Sequence, residues 1–339
     1  MAQSVTSCEV RLKARPQGMP RDGDFELASR PLPPPGEGEI LVRNLWMSVD
    51  PYMRGLMNAP TSYSKAFALG EPLHGRAIGR VELSRDPAFK PGDVVFHMLG
   101  WRDYATVPAR EAAPIDPTIA PIEAFLGALG FPGLTAYAGL VRIAALRRGE
   151  SVFVSAASGA VGSVAVQLAK ARDCFVVASA GADSKCRWLK DVARADVALN
   201  YRTCGDLGAA LRAARPDGID VYFDNVGGAH LEAALDNMRL HGRVALCGMI
   251  SRYNEAAPET GPRNLMRAIG QEVTLRGFVV RSHVDLQPAF LEEARRLVAE
   301  GRLHWRQSVE EGLENAPRAF RRLFEGGNFG KMLVRIAEA

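Results

Sequence analysis

The sequence predicts an α/β protein in which a β-rich domain is followed by a doubly wound parallel sheet. Three observations predict it. At 339 residues the chain is long for one hydrophobic core. Its first third is rich in Pro, Gly and short β-like runs punctuated by turn residues. From Ser151 onward, apolar strand-like runs alternate with stretches of helical period, the rhythm of a parallel sheet covered by helices.

Taken in order, residues 40–45 have strand composition after a Pro- and Gly-rich loop at 31–38, and 76–83 is a second candidate. Pro91-Gly92-Asp93 is a turn that launches a strand at 94–97. Several short strands of this kind predict a barrel-like β domain. Then come strand 151–156, a Gly-containing turn, and a helix at 160–171, where Val161, Ala165 and Leu168 share one face. Strands at 174–180, 197–200, 220–224 and 243–248 alternate with helices at 183–193, 207–214 and 231–239. A strand at 273–280, helices at 289–300 and 316–324, and a last strand at 331–336 complete the chain. The C-terminal tail is expected to return to the first domain.

Composition excludes several classes of function. Lys and Arg number 42 against 38 Asp and Glu, a net charge of +4, and the arginine pairs at 147–148, 295–296 and 321–322 suit solvated helix faces or turns. Nucleic acid is not an expected partner. No stretch reaches the length of a membrane span, and residues 1–10 carry Glu9 without the apolar core of a signal peptide, so a cytoplasmic location is expected. The five cysteines, Cys8, Cys174, Cys186, Cys204 and Cys247, form no C-x-x-C. They are expected to be reduced and mostly buried, with no structural zinc.

The strongest local motif is Val154-Ser155-Ala156-Ala157-Ser158-Gly159-Ala160-Val161-Gly162, between a buried strand and the first turn of a helix. In a Rossmann sheet this is where a dinucleotide pyrophosphate meets backbone amides and a helix N-terminus. Gly159 is expected to permit the tight turn and Gly162 to let the helix pack closely on the strand. Cofactor choice is read at the end of the next strand, where NAD enzymes commonly place Asp or Glu for the ribose 2′-hydroxyl. Here the run Ala178-Ser179-Ala180-Gly181-Ala182 is small and neutral, and Lys185 follows in the next helix. An ammonium attracts a 2′-phosphate, so NADPH is expected. Asp183 is expected to be the N-cap of that helix, its carboxylate occupied by backbone amides.

Several motifs resemble the medium-chain dehydrogenase/reductase superfamily. They are Val49-Asp50-Pro51-Tyr52-Met53-Arg54-Gly55, Leu69-Gly70-Glu71-Pro72-Leu73, Gly130-Phe131-Pro132-Gly133-Leu134-Thr135-Ala136-Tyr137 and Ala156 through Gly162. Phe223-Asp224-Asn225-Val226-Gly227-Gly228, Cys247-Gly248-Met249-Ile250-Ser251-Arg252-Tyr253-Asn254 and Asn328-Phe329-Gly330-Lys331 complete the set. Within the superfamily the chain resembles the leukotriene B4 12-hydroxydehydrogenase/prostaglandin reductase branch, with its curcumin reductases and 2-alkenal double-bond reductases. The resemblance implies a GroES-like catalytic domain over residues 1–125, completed by 303–339, and a Rossmann NADPH-binding domain over 126–302. It further implies that Ser158, Gly159, Ala160, Val161 and Gly162 cradle the cofactor and that Lys185 and Tyr201 hold its 2′-phosphate. Asn225 would lie along the cofactor, Cys247, Ser251 and Tyr253 would line the cleft, Phe278 would lie by the nicotinamide, and Asn328 would reach it from the C-terminal segment. Homodimers are the family's common state. Two positions depart from the pattern: Arg102 stands where relatives often carry a neutral amide, and Asn200 where many carry an acid.

The chemistry expected from this resemblance is metal-free. Zinc enzymes of the superfamily use Cys, His and an acid, but residues 46–52 contain no cysteine, and Glu71 and His74 lack a third ligand. His74 reads as structural. Without a Lewis acid, the expected reaction is reduction of the carbon–carbon double bond of an enone or enal. Hydride adds to the β-carbon and the charge gathers on the carbonyl oxygen, where hydrogen-bond donors stabilise it. Tyr52 and Tyr253 are the candidate catalytic donors, and either one, or water, protonates the α-carbon. The alternatives are an NADPH:quinone reductase and a non-catalytic NADPH-binding sensor or structural protein. Loops 58–67 and 252–262, with Tyr63 and Tyr253, are expected to shape the substrate pocket.

Overall fold

A computed structural model of the protein describes residues 4–58, 65–255 and 261–338. The chain divides into one unit of Met1–Leu126 with Gln307–Ala339 and another of Gly127–Arg306.

The first unit begins with a hairpin of β1 (Val5–Leu12) and β2 (Phe25–Leu32), paired antiparallel from Val5 opposite Leu32 to Leu12 opposite Phe25. Composition gave no hint of these strands, because β1 carries a fully buried acid. Glu9 is ion-paired with Arg11 at 2.6 Å and Arg30 at 3.4 Å, which offsets the cost of burying its charge. The expected strand at 40–45 is the middle of a longer one, β3 (Glu39–Ser48), which precedes a short helix, α1 (Met53–Leu56). Strands β4 (Ala77–Ser84), β5 (Val94–His97), β6 (Tyr104–Pro108) and β7 (Ala113–Pro114) follow. β3 pairs with both β4 and β6, so most of its residues are buried and it organises the unit. Met47, Met53, Trp101 and Phe320 belong to one apolar cluster against which Tyr52 packs.

The second unit opens with α2 (Phe131–Ala138), which has Pro132 in its first turn where a proline costs no hydrogen bond. β8 (Ser151–Val154), α3 (Gly162–Lys170), β9 (Phe175–Ala180), α4 (Asp183–Asp191) and β10 (Val197–Asn200) make the first half. α5 (Leu207–Ala214), β11 (Ile219–Asp224), α6 (Gly228–Leu235), β12 (Met238–Leu246), α7 (Arg267–Gly270) and β13 (Thr274–Gly277) make the second, followed by α8 (Gln287–Ala299). The strands are parallel in the order β10-β9-β8-β11-β12-β13, so the winding reverses between β8 and β11. That reversal opens a crevice at the carboxyl ends of the strands.

Three expectations need correction here. α3 is buried from Gly162 to Ala169 rather than along one stripe, because it packs on α2 as well as on β8 and β9. The strand expected at 273–280 stops at Gly277, and the chain turns into a 3-10 segment at Val280–Leu286. Of the five cysteines only Cys174 is buried; the other four are partly exposed, and all five are free.

The C-terminal segment forms β14 (Gln307–Glu311), α9 (Ala316–Phe324) and β15 (Lys331–Arg335). β15 returns to the first unit, antiparallel to β3, with Leu333 opposite Ser48. Among the described residues no helix is long and apolar enough to cross a membrane.

Candidate active site

In the second unit every expected cofactor residue follows the carboxyl end of a strand. The turn after β8 carries Ser158 through Gly162, and Lys185 follows β9, Tyr201 β10 and Asn225 β11. Cys247, Ser251 and Tyr253 follow β12, and Phe278 follows β13. In a parallel sheet these ends lie on one edge, so residues spread over 120 positions share it.

The turn after β8 is tighter than its glycines suggest. The left-handed backbone falls on Ala156, at φ 44°, and Gly159 is not the residue that needs it. Ala157 N–H donates to Ser179 O at 2.9 Å and Gly159 N–H to Ala156 O at 2.9 Å. Gly162 marks the close approach. A Cβ there would sit 2.7 Å from Ala157 Cα and closer still to the Ala156 carbonyl. No side chain caps α3, so the first turn is left for backbone or ligand partners.

Across the reversal point, Asn225 ties β11 to β8. Its Nδ2 donates to Ser155 O at 2.8 Å and its backbone N–H to Ser155 Oγ at 2.9 Å. Behind it lies a buried network that sequence reading missed. Tyr222 Oη donates to Asp224 Oδ1 at 2.7 Å, and the Val226 and Gly227 amides donate to the same oxygen at 2.9 and 2.8 Å. Burial leads in raising the Asp224 carboxyl, against these donors, and burial followed by Asp224 holds the Tyr222 phenol well above its ordinary range. The only signal in the sequence was an Asp-Asn pair at a strand end before two glycines. Cys247 keeps some exposure as a residue, yet burial and then Asp224 push its thiol up to about 12. A thiol held this high is protonated at neutral pH, which argues against a nucleophilic role.

Tyr253 and Ser251 lie on the turn after β12. Ser251 Oγ donates to Val226 O at 2.6 Å, and a Cβ on Gly248 would stand 3.1 Å from Tyr253 Oη. Phe278 meets Phe223 edge-on, with centroids 6.4 Å apart.

At the ends of β9 and β10, Lys185 is half-buried, and burial followed by the Arg202 charge lowers its ammonium below the usual range. The Tyr201 ring meets His230 edge-on at 5.0 Å. Asp183 is not the N-cap of α4. That position belongs to Ala182, and the Asp183 carboxylate instead accepts a 2.6 Å hydrogen bond from Asn200 Nδ2. A cap needs extended backbone, which Ala182 has at φ −155° and ψ 146°, whereas Asp183 is already helical.

Tyr52 and Asn328 belong to the first unit, where a buried ion cluster joins their two segments. Lys331 Nζ donates to Val49 O at 2.8 Å and Met332 O at 2.7 Å and stands 3.2 Å from Asp50 Oδ1. Asp50 Oδ2 accepts from Ser48 Oγ at 2.6 Å and faces Arg76 at 3.4 Å. Burial alone would raise Asp50, but Lys331, Arg76 and Ser48 outweigh it and hold the carboxyl below its ordinary value. Burial acts first on Lys331 too and lowers it. Arg76 also stands 5.5 Å over the Tyr52 ring, and Asn328 Nδ2 donates to Gly330 O at 2.9 Å.

His74 packs edge-on against Phe67 at 4.7 Å, and burial followed by Arg102 lowers its pKa. Among the described residues no three His, Cys, Asp or Glu side chains gather as metal ligands. Arg102 is buried and donates to Gly100 O and Leu73 O, and burial lowers it to about 10. It thus supports the first unit's backbone. Of the two loops expected to shape a pocket, residues 59–64, with Tyr63, and 256–260 lie outside the described residues.

A parallel sheet with a phosphate-type turn at its reversal point, paired with a β-rich unit, defines a two-domain nucleotide-dependent oxidoreductase. Comparison with known proteins specifies it. The family profile described as the N-terminal domain of oxidoreductase matches residues 9–115, and the one described as zinc-binding dehydrogenase matches residues 160–299. The 2-alkenal reductase (NADP(+)-dependent) of Nicotiana tabacum is 42% identical over 342 residues, covering 99% of each chain. Prostaglandin reductase 1 of Mus musculus is 41% identical over 329 residues, 96% of this chain and 97% of the relative. The crystal structure of CurA from Vibrio vulnificus in complex with NADPH superposes with a TM-score of 0.92 at 34% identity, covering 98% of this chain and all of that one. The chain belongs to the medium-chain dehydrogenase/reductase family, in the branch that holds the 2-alkenal, prostaglandin and curcumin reductases.

Proposed function

We propose that this protein reduces the carbon–carbon double bond of α,β-unsaturated ketones and aldehydes with NADPH. The observation that carries the reading is the 42% likeness, over nearly the full length of both chains, to an NADP-dependent 2-alkenal reductase. The residues fit the cofactor: Gly162 leaves room for backbone to approach a pyrophosphate, and Lys185 and Tyr201, which follow β9 and β10, are assigned to the 2′-phosphate. The second unit is thus the cofactor domain, with Ser158 to Gly162, Asn225, Cys247, Ser251 and Phe278 along its site. Tyr52 and Asn328, in the first unit, are assigned to the site by the family resemblance alone.

When bound, NADPH supplies the hydride that reaches the substrate β-carbon. The chain's own part is to stabilise the enolate oxygen and deliver a proton to the α-carbon. Tyr52 and Tyr253 are assigned as hydrogen-bond donors to that oxygen, an effect typically worth a few kcal/mol. The proton at the α-carbon comes from one of them or from water. The reaction is assigned as zinc-independent, because residues 46–52 contain no cysteine and Glu71 and His74 lack a third ligand. Five free cysteines suit a reducing, cytoplasmic compartment. Homodimers are supported by the free edge of β13 and by Leu265, Met266 and Ile269 before it, exposed at 50, 81 and 79%.

The test is NADPH oxidation with an enal, an enone, a saturated ketone and a quinone, run in parallel with NADH. Turnover of the enone to the saturated ketone, with no turnover of the saturated ketone itself, is the expected result. Turnover of the quinone alone would replace this reading with a quinone reductase. Binding of NADPH without turnover of any substrate would leave a non-catalytic protein.

A further inference from the structure

We propose that Arg202 is a second cationic contact for the 2′-phosphate of NADPH, beside Lys185, and that Asn200 fits the site to a dianion by holding the Asp183 carboxylate away from it. The inference rests on the NADPH reading above and deepens it.

Strand pairing sets the geometry. Asn200 lies opposite Ala180 in the β9–β10 register, and Tyr201 N–H donates to Ala180 O at 3.2 Å. Residues 200–202 therefore run beside 180–182. At Gly181 the missing side chain leaves the space into which Tyr201 packs. A Cβ there would stand 2.7 Å from Tyr201 Oη and 3.2 Å from Arg202 Nε. A hydroxyl and a guanidinium thus converge on the one position from which a side chain has been removed. The Arg202 guanidinium also stands 5.9 Å over the Tyr201 ring, which limits where it points. Lys185 feels the Arg202 charge as its main electrostatic neighbour, and that charge is repulsive.

Lys185 and Arg202 carry like charges, and an anion bound by both would offset their mutual repulsion. No ion pair joins Arg202 to a carboxylate among the described residues. Asp183 is the acid at the foot of α4, and Asn200 engages it. The Asn200 amide nitrogen donates to Asp183 Oδ1 at 2.6 Å while its oxygen accepts the Arg202 backbone N–H at 3.1 Å. One carboxamide thus fixes the acid and sets the start of the arginine. An acid at position 200 could still accept the Arg202 N–H but could not donate to Asp183, and two carboxylates would face each other. The departure at position 200 thereby acquires a role. A phosphate dianion accepts charge-assisted hydrogen bonds from both cations, and the planar Arg202 fork suits its oxygens.

Calorimetric binding of NADP+, NAD+ and 2′,5′-ADP to the full-length protein tests this. Arg202→Gln is expected to weaken NADP+ and 2′,5′-ADP about 10- to 100-fold, the loss typical of one charge-assisted contact, while NAD+ changes by no more than about twofold. Arg202→Lys should recover part of the loss. Asn200→Ala should weaken NADP+ about 5- to 20-fold, and adding Asp183→Asn should restore it, because the released carboxylate is the cause. If Arg202→Gln leaves the preference for NADP+ intact, or weakens NAD+ equally, the role of Arg202 is refuted. If Asp183→Asn gives no rescue, Asn200 acts only on the turn and that half of the proposal fails. A wild-type protein that binds NADP+ no more tightly than NAD+ would instead sink the cofactor reading, and the proposal with it.

Discussion

Replacing Lys331 by Met tests the link between the two segments that carry Tyr52 and Asn328. Lys331 is 4% exposed, and its ammonium touches Asp50 and two carbonyls, those of Val49 and Met332. Met is close in length and apolar, so the change removes charge and donors while keeping most of the packing. Losing one partner of a buried pair costs about 3–5 kcal/mol when the other is left uncompensated. Here Asp50 keeps Ser48 at 2.6 Å and Arg76 at 3.4 Å, which places the expected loss lower, at about 2–4 kcal/mol. Replacing both partners, as Asp50→Asn/Lys331→Met, removes the stranded charge and should cost less than Lys331→Met alone.

The assay is urea unfolding followed by fluorescence, with midpoint and slope reported separately. Activity should fall as well, since Asp50 lies two residues from Tyr52 and Lys331 three from Asn328. The pH dependence has a definite sign. Asp50 is held below the ordinary carboxylate value, so its contribution is present above that ordinary value and is lost as pH falls through the lowered one. Lys331→Met raises the Asp50 carboxyl and should move acid unfolding to higher pH. A variant within about 0.5 kcal/mol of wild type would refute the reasoning, as would a double variant whose cost equals the sum of the singles.

Four other outcomes follow from the same geometry. Tyr52→Phe and Tyr253→Phe should each lower kcat on an enone by about 10²-fold if the hydroxyl donates to the enolate oxygen; a rise in KM alone would mean that it only orients substrate. Gly162→Ala should cost about 1–3 kcal/mol of stability and weaken NADP+ binding, because its Cβ collides with backbone at Ala156 and Ala157, read by thermal unfolding and calorimetry. Prolonged dialysis against a chelator should leave enone turnover unchanged, as measured against an undialysed control. Met266→Glu with Ile269→Glu should shift the mass measured by light scattering from dimer to monomer while preserving the fold by circular dichroism.

The second unit was legible because its signals are local. The apolar runs at β8, β9 and β11 are buried nearly throughout, and helices α5 and α9 lie where the periodicity puts them. Each residue of the second unit expected at the cofactor follows a strand, and strands in a parallel sheet share one carboxyl edge. The first unit was less legible because its stability rests on pairings between distant residues. The β1–β2 hairpin hides a buried acid whose arginines neutralise it only once the strands pair. Lys331 reaches back 282 positions to Val49, and nothing near it in sequence announces that partner. Helix α2 was read as a motif and not as a helix, because Gly130 and Pro132 punctuate its start. The Ser155–Tyr222–Asp224 network has the same character, with polar groups that look unremarkable until strands β8 and β11 lie side by side.

Asp183 shows where reading cofactor preference from a strand end falls short. The residue type at that position is informative because a free carboxylate accepts a ribose hydroxyl and repels a phosphate. What matters physically is how much of that carboxylate faces the ligand. Expectation supplied Asp183 with a local partner, the backbone of its own helix, but the backbone dihedrals give the cap to Ala182. The partner comes from the next strand, seventeen residues on, through Asn200. Both routes occupy one carboxylate oxygen, yet they differ in consequence. A cap would make Asp183 part of helix stability and indifferent to position 200, whereas the observed contact ties its carboxylate to the amide at 200. On the proposal above, the preference for a phosphorylated ribose draws on two strand ends together, those of β9 and β10, and a substitution at Asn200 is expected to change it without touching Lys185.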